Sequence, residues 1–309
     1  MNRIYTVTLN PARDRSVVIE NFAPGKVNRI TRMRDDPGGK GINVSKAILA
    51  LGGQTVAMGI LGGGTGAYIR DSLEAMGMET DFVWTQRETR TNLKINDPVR
   101  KCTTDINEPG VIEPEDAEKL LEKLLSRVRT DDVAVIAGKL DTAKLDPERW
   151  IRLLKQAGAR VFLDTEGEAL KRGVQAGPYL IKPNDAELSQ LLGRPVSGRE
   201  DCASAARRIV ETYGVHAAAV SLGSEGAVFV TRDGVWDAQA VPVEAVNTVG
   251  AGDTMMAALA WSLTEEKPFE EACRLAVAAG AAAVTCDGTQ SPDKETILTL
   301  MKQARVDRH

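Results

Sequence analysis

Histidine is rare in this chain of 309 residues, and its cysteines show no paired spacing. The two histidines are His216, within an apolar stretch, and His309, at the end. This scarcity argues against a Ser-His-Asp triad and against a histidine-ligated metal, so any general base is expected to be a carboxylate. The scattered cysteines argue against both a disulfide framework and a zinc site. They are Cys102, Cys202, Cys273 and Cys286.

Excess positive charge and long apolar runs are also missing. The net charge is −4 and the isoelectric point is about 5.5, so the chain lacks the overall basic field that nucleic acids and anionic membranes attract. The longest apolar run, residues 275–284, has half the ~20 residues that a membrane helix needs. The first residues lack the apolar core of a signal peptide. We therefore expect a cytoplasmic protein that binds neither nucleic acid nor membrane.

Strand-like and helix-like segments alternate along most of the chain. Apolar runs typical of strands buried on both faces lie at 4–10, 55–61, 132–138, 159–165, 179–182 and 216–223. Amphipathic helices are expected between them, for example at 114–128 and 201–214, and the chain from 251 onward is expected to be helical. This alternation predicts an α/β fold with a mostly parallel central sheet, helices on both faces, and ligands at the carboxyl ends of the strands.

Two segments interrupt this alternation. Residues 15–35 and 87–108 contain short strand-like runs joined by turns such as NDPVRK, and they have few neighbours with which to form a core. We expect them to form a small discontinuous β sheet, either a lid or an interface, on one domain that spans residues 1–309.

The most informative stretch is VNTVGAGDTMMAAL, residues 246–259. A strand-like segment leads through Gly250, Ala251 and Gly252 into a helix that has Asp253 in its first turn. Unpaired backbone N–H groups at such a helix start form an anion site, suited to the charge that develops on a transferring phosphoryl group. The alternative is that Asp253 only caps the helix, which is the commoner role of an aspartate there.

A second glycine-rich stretch, PGGKGINVS, precedes a helix at residues 37–45. Gly38 and Gly39 would let the backbone approach a ligand closely, and Lys40 and Asn43 would supply hydrogen-bond donors. The alternative is a tight turn with a solvated lysine.

Residues 61–77 contain a third glycine cluster. Gly62, Gly64 and Ala67 match the G-x-G-x-x-A pattern of dinucleotide-binding folds, with Glu79 and Asp81 near the next strand. A nicotinamide-dependent oxidoreductase is therefore one hypothesis, although the pattern arises easily by chance in a chain with 28 glycines. The Walker-type phosphate loop is absent from the sequence, since none of its Gly-Lys pairs is followed by Ser or Thr.

Two later stretches have the composition of a nucleotide site. In YLIKPNDAEL, residues 179–188, Lys182 and Asn184 follow a strand and Glu187 lies one helical turn further. Asn184 and Glu187 would share a helix face and hold a hydrated Mg²⁺ near phosphates, or they would form a capping box. In VSLGSEGAVFV, residues 220–230, we expect a strand, a glycine turn and a strand, either the wall of a nucleotide pocket or a plain hairpin.

Taken in this order, the motifs resemble those of the ribokinase-like (PfkB) sugar kinases over essentially the whole chain. PGGKGINVS is similar to the N-terminal signature of that family and NTVGAGDTMMAAL to its C-terminal signature, while KPNDAE and SLGSEGA match two nucleotide-side elements. TVTLNPARD, TRTNLKI and INEPG are closer to the sugar-phosphate branch, which contains the 1-phosphofructokinases and the tagatose-6-phosphate kinases. The resemblance implies a three-layer α/β/α fold whose small sheet is a lid and the contact of a homodimer.

The resemblance also implies ATP-dependent phosphorylation of a ketohexose phosphate, with Mg²⁺ as the accompanying ion. Asp253 would be the general base, and the turn of Gly250, Ala251 and Gly252 would be the anion hole. The residues that would bind the acceptor are Asp14, Arg29, Gly38, Gly39, Lys40, Asn43, Arg90, Lys94, Asn107 and Lys139. The residues that would bind ATP are Lys182, Asn184, Glu187, Ser221, Gly223, Gly226 and Thr248, with Glu187 also near Mg²⁺ through water.

Fructose 1-phosphate, phosphorylated at its 6-hydroxyl, is the acceptor that the resemblance favours, and tagatose 6-phosphate and fructose 6-phosphate are alternatives. Two departures from the family pattern concern the acceptor pocket. Lys139 stands where a small hydroxyl residue is usual, and Arg13 replaces an apolar residue before Asp14. These departures motivate a further hypothesis, a sugar-phosphate sensor without catalytic activity.

Overall fold

The computed structural model describes residues 2–286 and 288–309 of the chain. The described residues form a large mixed sheet with helices on both faces and a separate four-stranded sheet. The strands are β1 (Ile4–Thr8), β2 (Ala12–Val18), β3 (Arg32–Gly38), β4 (Val56–Gly62), β5 (Glu79–Thr80), β6 (Val83–Thr85), β7 (Thr91–Asp97), β8 (Cys102–Asn107), β9 (Val133–Ala137), β10 (Arg160–Asp164), β11 (Leu180–Ile181), β12 (Ala217–Ser221), β13 (Gly226–Thr231), β14 (Gly234–Gln239) and β15 (Val306–Arg308). The helices are α1 (Lys40–Ala50), α2 (Gly63–Ala75), α3 (Pro114–Arg127), α4 (Pro147–Gln156), α5 (Gly167–Val174), α6 (Asp185–Leu192), α7 (Arg199–Tyr213), α8 (Ala251–Thr264), α9 (Phe269–Ala283) and α10 (Lys294–Met301).

The large sheet has the strand order β15-β14-β13-β12-β11-β10-β9-β1-β4-β5, and β6 also pairs with β4. The pairs from β12 through β5 are parallel, while β13, β14 and β15 extend that edge in antiparallel pairs. The predicted mostly parallel sheet is therefore confirmed.

Alternate residues of the buried strands contact opposite helical layers. In β9, Ala134 and Ile136 belong to the core that β1 and β4 share with α3 to α7. Val133 and Val135 belong to the core shared with α1, α8, α9 and α10. Because both faces are covered, these strands are apolar at nearly every position. The result is the predicted three-layer α/β/α arrangement, and no helix in the described part of the chain combines the length and apolar character that a membrane crossing needs.

The separate sheet has the order β3-β2-β7-β8, with β2 antiparallel to β3 and parallel to β7. One face has a small core of Val17, Ile19 and Ile95. Asp14 lies in register with Asn92 of β7, and because side chains alternate along a strand both lie on the opposite, polar face.

The strands of the small sheet extend beyond the predicted segment 15–35. β2 begins at Ala12 and β3 continues to Gly38, because the two strands pair in unbroken register from Ala12–Gly38 to Val18–Arg32. Asp14 therefore lies within a strand, and Gly38 ends a strand instead of belonging to a tight turn.

Two predictions about the last third of the chain were wrong. The strand-like segment that leads to Gly250, residues 243–249, does not form a strand: Val246 and Val249 are exposed, and the N–H groups of Val246 and Asn247 both donate to Val284 O. The chain after 251 is not entirely helical either, because β15 pairs with β14 at the sheet edge. In both cases the deciding partner is distant in sequence, so a local pattern does not reveal it.

Candidate active site

The carboxyl ends of the parallel strands lie at one edge of the large sheet, where α1 and α8 begin. β10 ends at Asp164, in register with Ala137 at the end of β9. α1 begins at Lys40 directly after Gly39, and α8 begins at Ala251 directly after Gly250. Two of the glycine stretches singled out in the sequence therefore meet at the edge where parallel sheets bind ligands.

Asp253 is turned into this edge and does not cap its own helix. Gly250 has a φ of 84°, a left-handed conformation that suits glycine, so the chain turns sharply into α8. Among the described residues, no side chain caps the first turn of α8. The carboxylate of Asp253 is instead buried, with 6% exposure, and accepts a hydrogen bond of 2.9 Å from Asn43 Nδ2. The capping alternative is therefore wrong, and the first N–H groups of α8 face the site.

The surroundings of Asp253 make it a stronger base than an exposed aspartate. Burial is the main cause that raises the pKa of Asp253, and the negative charge of Asp164 adds to it. The hydrogen bond from Asn43 and the charges of Lys40 and Lys182 oppose this shift without cancelling it. A carboxylate with a raised pKa binds a proton more readily, as a general base requires.

Asp164 holds two ammonium groups beside Asp253. Its side chain is 1% exposed, and its two oxygens lie 3.3 Å from Lys40 Nζ and 3.3 Å from Lys182 Nζ. Burial lowers the pKa of Lys40, but the negative charges of Asp164, Asp253 and Glu187 outweigh it and raise the pKa overall. Lys40 is thus paired with Asp164, while 40% of its side chain remains exposed to solvent.

Lys182 also lies against the start of α8. A Cβ atom added to Gly252 would be 3.1 Å from Lys182 Nζ. A side chain at this position would therefore displace the ammonium group. Without one, backbone N–H groups and a positive charge share one small space, which is a suitable place for a transferring phosphoryl group.

Asp14, Asn92 and Arg90 form a chain of hydrogen bonds on the polar face of the small sheet. Asn92 Nδ2 donates to Asp14 Oδ1 at 2.8 Å, and Arg90 Nη1 donates to Asn92 Oδ1 at 2.7 Å. Asp14 lies so close to Gly38 that a Cβ atom there would overlap its carboxylate. Burial raises the pKa of Asp14, against the hydrogen bond from Asn92 and nearby positive charges. Asp14 and Arg90, two of the predicted acceptor residues, are thus held in one network.

The other predicted acceptor residues are less closely joined. Lys94 Nζ lies 3.9 Å from Asp105, and Asn107 ends β8 directly opposite Asn92. Arg29 lies in the exposed loop between β2 and β3, and Lys139 is exposed after β9. In the described parts of the chain, neither of these two cations contacts the network around Asp14.

Arg13, the second departure from the family pattern, does not point toward Asp14. It forms an ion pair with Asp35, and its guanidinium lies 4.6 Å from the centre of the Tyr68 ring. Because successive residues of a strand face opposite sides, Arg13 of β2 lies on the face away from Asp14.

The predicted nucleotide-side elements lie at the adjacent strand ends. Asn184 and Glu187 form a capping box, in which Asn184 Oδ1 accepts from Glu187 N at 2.8 Å and Glu187 Oε2 accepts from Asn184 N at 2.9 Å. The capping alternative is therefore confirmed for this pair, and a role with Mg²⁺ stays a prediction. Ser221 bridges to Asn184, so α6 begins beside the end of β12. Thr248 is exposed in the irregular segment before α8.

The glycine turn at 223–226 connects β12 to β13 as an antiparallel hairpin. Gly223 begins a short 3₁₀ turn, and Gly226 opens β13 so close to β14 that a Cβ atom there would overlap the backbone. The expected strand, turn and strand are confirmed, and the turn lies at the same edge as Ser221.

The dinucleotide hypothesis fails at the start of α2. The Glu88 carboxylate accepts hydrogen bonds from Gly64 N at 3.2 Å and from Thr65 N at 2.6 Å. A pyrophosphate would need these same N–H groups. The acids expected to bind ribose are also in use, since Glu79 and Asp81 both pair with Arg127. The structure therefore contradicts the oxidoreductase hypothesis.

Three residues of this region were missed by sequence reasoning. Asp164 ends an apolar strand, as a site residue often does, and Asn92 lies within the predicted TRTNLKI strand. The third, Lys46, is a buried lysine within the apolar run INVSKAILAL. The signal for Lys46 was a charged residue with apolar helical residues on both sides of it in the sequence.

The chain matches the model of the family described as "pfkB family carbohydrate kinase" over residues 8–297. It is 35% identical over 308 residues to a 1-phosphofructokinase of Bacillus subtilis (strain 168), covering 99% of each chain. Among solved structures it is similar to phosphofructokinase-2 from Escherichia coli in complex with potassium, with a TM-score of 0.92 and 31% identity, covering 98% of this chain and 99% of the other. It is also similar to that enzyme in complex with fructose-6-phosphate, with a TM-score of 0.90, 30% identity and coverage of 98% and 99%.

Proposed function

The chain belongs to the pfkB family of carbohydrate kinases, and we propose that it transfers the γ-phosphoryl group of ATP to the 6-hydroxyl of fructose 1-phosphate. It is a sugar-phosphate kinase that uses ATP, with the three-layer fold of its structural relatives. Fructose 1-phosphate is supported as the acceptor by the full-length similarity to the Bacillus subtilis enzyme. The single observation that carries the mechanism is the buried Asp253 carboxylate at the uncapped start of α8.

Asp253 acts as the general base. As the sugar oxygen attacks the γ-phosphorus, the proton of its hydroxyl passes to the Asp253 carboxylate, and the bond from the γ-phosphorus to the bridging oxygen of ADP breaks. Asn43 donates to one carboxylate oxygen and so directs the group, which leaves the other oxygen for the hydroxyl proton. Because phosphoryl transfer depends mainly on positioning and charge neutralisation, these groups supply what the protein must contribute to the reaction.

The start of α8 is the anion hole. The N–H groups of Gly250, Ala251, Gly252 and Asp253 stabilise the charge on the transferring group, together with the macrodipole of the 14-residue helix. Lys182 lies beside this turn and adds a positive charge.

The acceptor is held between α1 and the small sheet. Asp14 accepts hydrogen bonds from sugar hydroxyls, with Gly38 and Gly39 allowing close approach. Cations on the small sheet and on the adjoining turns hold the phosphate that the acceptor already carries. We assign this clamp to Lys40, Arg90, Lys94 and Arg29, with Asn107 and Lys139 at its border.

ATP lies along the strand ends from β11 to β13, bounded by Ser221, Gly223, Gly226 and Thr248. Two carboxylates lie where they would accompany a Mg²⁺: Asp164, whose Oδ2 faces Lys182 Nζ at 3.3 Å, and Glu187, whose charge acts on the same Lys40 ammonium as that of Asp164. We propose that they hold the ion mostly through water, since no cluster of acids in the described residues forms a complete metal site. When bound, Mg²⁺ neutralises charge on the ATP phosphates.

We also propose that the molecule is a cytoplasmic homodimer joined through the small sheet. Exposed large apolar side chains are concentrated on this sheet and its loops, where a second copy would cover them. They are Val27, Ile30, Met33, Val99 and Ile106.

The general-base role is tested by Asp253→Asn. We expect kcat to fall roughly 10²- to 10⁴-fold, because the variant keeps the hydrogen bond to Asn43 but has no carboxylate to accept the proton. Release of ADP in a coupled assay measures the change. Asp293→Asn is the matched control, since Asp293 caps the start of α10 through Thr296 N and is expected to leave kcat unchanged. Wild-type turnover by Asp253→Asn would contradict the assignment.

The acceptor is tested by the same assay with fructose 1-phosphate, fructose 6-phosphate and tagatose 6-phosphate. We expect the highest kcat/KM with fructose 1-phosphate. A higher value with either of the other two sugars would overturn the proposed acceptor while leaving the kinase activity in place. Binding of all three without ADP release would instead support the sensor hypothesis.

A further inference from the structure

Lys46 is a buried lysine to which the mechanism above gives no role. It lies on α1, three residues after Asn43 and six after Lys40, so the three polar side chains run along the inner side of one helix. Only 9% of Lys46 is exposed, and the next two residues of the helix, Ala47 and Ile48, are packed in the core. An ammonium group placed so deeply needs partners that offset the loss of water.

The partners of Lys46 belong to two parts of the chain that are far apart in sequence. Lys46 Nζ donates to Pro37 O at 3.0 Å and to Thr289 O at 3.0 Å. Both acceptors are backbone carbonyl groups, so a substitution at either partner residue would not remove the hydrogen bond. Through one ammonium group, α1 is tied both to the end of β3 and to the loop that follows α9.

The first partner sets the position of the acceptor side. Pro37 is followed by Gly38, which lies directly against the Asp14 carboxylate. Pro37 also pairs with Arg13 in the ladder of the small sheet. A hydrogen bond to Pro37 O therefore holds the strand end on which the acceptor would rest.

The second partner sets the position of the catalytic side. Thr289 follows Gly288, whose carbonyl accepts from Asn247 Nδ2 at 2.6 Å. Asn247 Oδ1 in turn accepts from Val249 N at 2.8 Å, one residue before Gly250 opens the anion hole. A hydrogen bond to Thr289 O therefore supports the loop on which the turn before α8 rests.

The charge of Lys46 is part of the same arrangement. Burial lowers the pKa of Lys46, and the negative charges of Asp36, Asp14 and Asp253 oppose that shift. Two of these acids are the proposed acceptor ligand and the proposed general base. The positive charge of Lys46 is therefore attracted to an acid on the acceptor side, Asp14, and to an acid on the catalytic side, Asp253. Its hydrogen bonds reach the same two sides.

We propose that Lys46 is a positioning residue that holds the acceptor strand end and the catalytic turn at the separation that phosphoryl transfer requires. In-line attack needs the sugar oxygen within about 3–3.5 Å of the phosphorus, and a displacement of about 1 Å can cost a hundredfold in rate. Asn43 directs the Asp253 carboxylate, and Lys46, one turn further along α1, directs the two segments that carry Gly38 and Gly250. This role rests on the proposed kinase function and names a residue outside the groups that touch the substrates.

The test compares Lys46→Met, Lys46→Gln and Lys46→Arg by kcat and by the KM values for both substrates. We expect Lys46→Met to lower kcat/KM for fructose 1-phosphate roughly tenfold to a hundredfold, with the KM for ATP within about twofold of the wild type. Lys46→Gln keeps a hydrogen-bond donor, so its kcat/KM should lie between those of Lys46→Met and the wild type. Lys46→Arg keeps the positive charge and the donors, so it should retain most of the wild-type activity. Circular dichroism and thermal unfolding report whether each variant is folded.

Lys155 offers a matched control. Its Nζ also donates to two backbone carbonyls, Ala176 O at 2.7 Å and Gly177 O at 2.5 Å, but it lies at the end of α4, where β10 begins. Lys155→Met removes the same kind of link at the opposite edge of the sheet and is expected to leave both KM values and kcat unchanged.

Three results would overturn the proposal. One is a folded Lys46→Met enzyme whose kcat and acceptor KM match the wild type. Another is an equal loss in Lys46→Met and Lys155→Met, which would indicate general destabilisation. The third is a series in which Lys46→Arg is no better than Lys46→Met. Failure of the proposed acceptor can be distinguished from failure of the Lys46 proposal. If the wild type prefers another sugar phosphate, the Lys46 variants are compared with that sugar phosphate instead.

Discussion

At the scale of single residues, the site combines buried carboxylates with neighbouring ammonium groups, of which Lys182 is buried and Lys40 is partly exposed. Asp253 and Asp164 are nearly fully buried, and Lys40 and Lys182 lie next to them. Buried charges are costly unless they are paired, so each member of this group makes the others tolerable. The pairing is incomplete at Asp253, whose pKa stays raised, and this suits it to the proposed role of general base.

Asp253→Asn should stabilise the protein at neutral pH. The folded-state pKa of Asp253 lies above its ordinary 3.8, so the folded chain retains this proton at pH values where the unfolded chain has lost it. Stability therefore falls as pH rises through that window and remains lower above it. Asparagine does not titrate, so we expect the variant to resist urea better than the wild type at pH 7, with the difference vanishing under acid conditions.

Asp293→Asn should show the opposite behaviour. Hydrogen bonds from Thr296 lower the pKa of Asp293, so its stabilisation is present above its ordinary pKa and is lost as pH falls through the lowered value. Unfolding in urea at several pH values checks both variants. If Asp253→Asn were less stable than the wild type at pH 7, the burial cost assigned to Asp253 would be wrong.

At the scale of elements, some helix starts are closed by a side chain and others are open. α6 begins with a capping box, α10 with Asp293, and α2 receives Glu88 from a distant loop. In the described structure, α1 and α8, the two helices that begin at the candidate site, both lack a side-chain cap. Since unpaired N–H groups cost stability unless something binds them, the open start of α8 is suited to a ligand and the capped starts to structure.

Glu88→Ala should destabilise the fold through α2. The Glu88 carboxylate accepts from Gly64 N and Thr65 N at the positive end of that helix dipole, and these bonds lower its pKa. Because Glu88 is exposed and screened by salt, we expect a loss of about 0.5–1 kcal/mol in the free energy of unfolding.

Urea unfolding at low and high salt measures the effect of Glu88→Ala, which should shrink as salt increases. Its sign with pH follows from the lowered pKa: the stabilisation is present above the ordinary value of 4.5 and is lost as pH falls through the folded-state value. An unchanged midpoint at pH 7 and low salt would show that Glu88 does not stabilise α2.

At the scale of the whole molecule, the proposed reaction takes place where the two sheets meet. The proposed ATP elements and Asp253 of α8 lie beside the large sheet, while Asp14 lies in the small sheet and Arg90 directly precedes its strand β7. α1 lies at the junction and contacts both sides through Asn43 and Lys46. Any relative movement of the sheets therefore changes the distance between the acceptor and the base, which is how a lid would control the reaction.

The proposed dimer is tested by introducing charge on the small sheet. Met33 and Ile106 are 53% and 52% exposed on its outer strands, and the double variant Met33→Glu with Ile106→Glu should convert dimers to monomers. Sedimentation velocity measures the change. Met76→Glu, at a 47% exposed methionine after α2, is the matched control and should remain dimeric. A monomeric wild type would refute the proposal.

The sequence by itself determined the layered fold and singled out the stretch that we propose to be catalytic, because both depend on local patterns. Continuous apolar runs separated by amphipathic helices require a parallel sheet with two helical layers. Glycines before a helix with Asp253 in its first turn require an open helix start near a carboxylate. The boundaries of β2 and β3 and the absence of a strand before Gly250 were not readable, since both depend on partners elsewhere.

Tertiary structure alone decided which side chains act together. Asn43 meets Asp253 across 210 residues and Lys46 meets Thr289 across 243, so no spacing in the sequence could join them. It also decided that the glycines at 62–66 serve structure, because Glu88 reaches the start of α2 from 23 residues away. Hydrogen bonds and charge pairs depend on distances in space, and those distances exist only once the sheets and helices have packed.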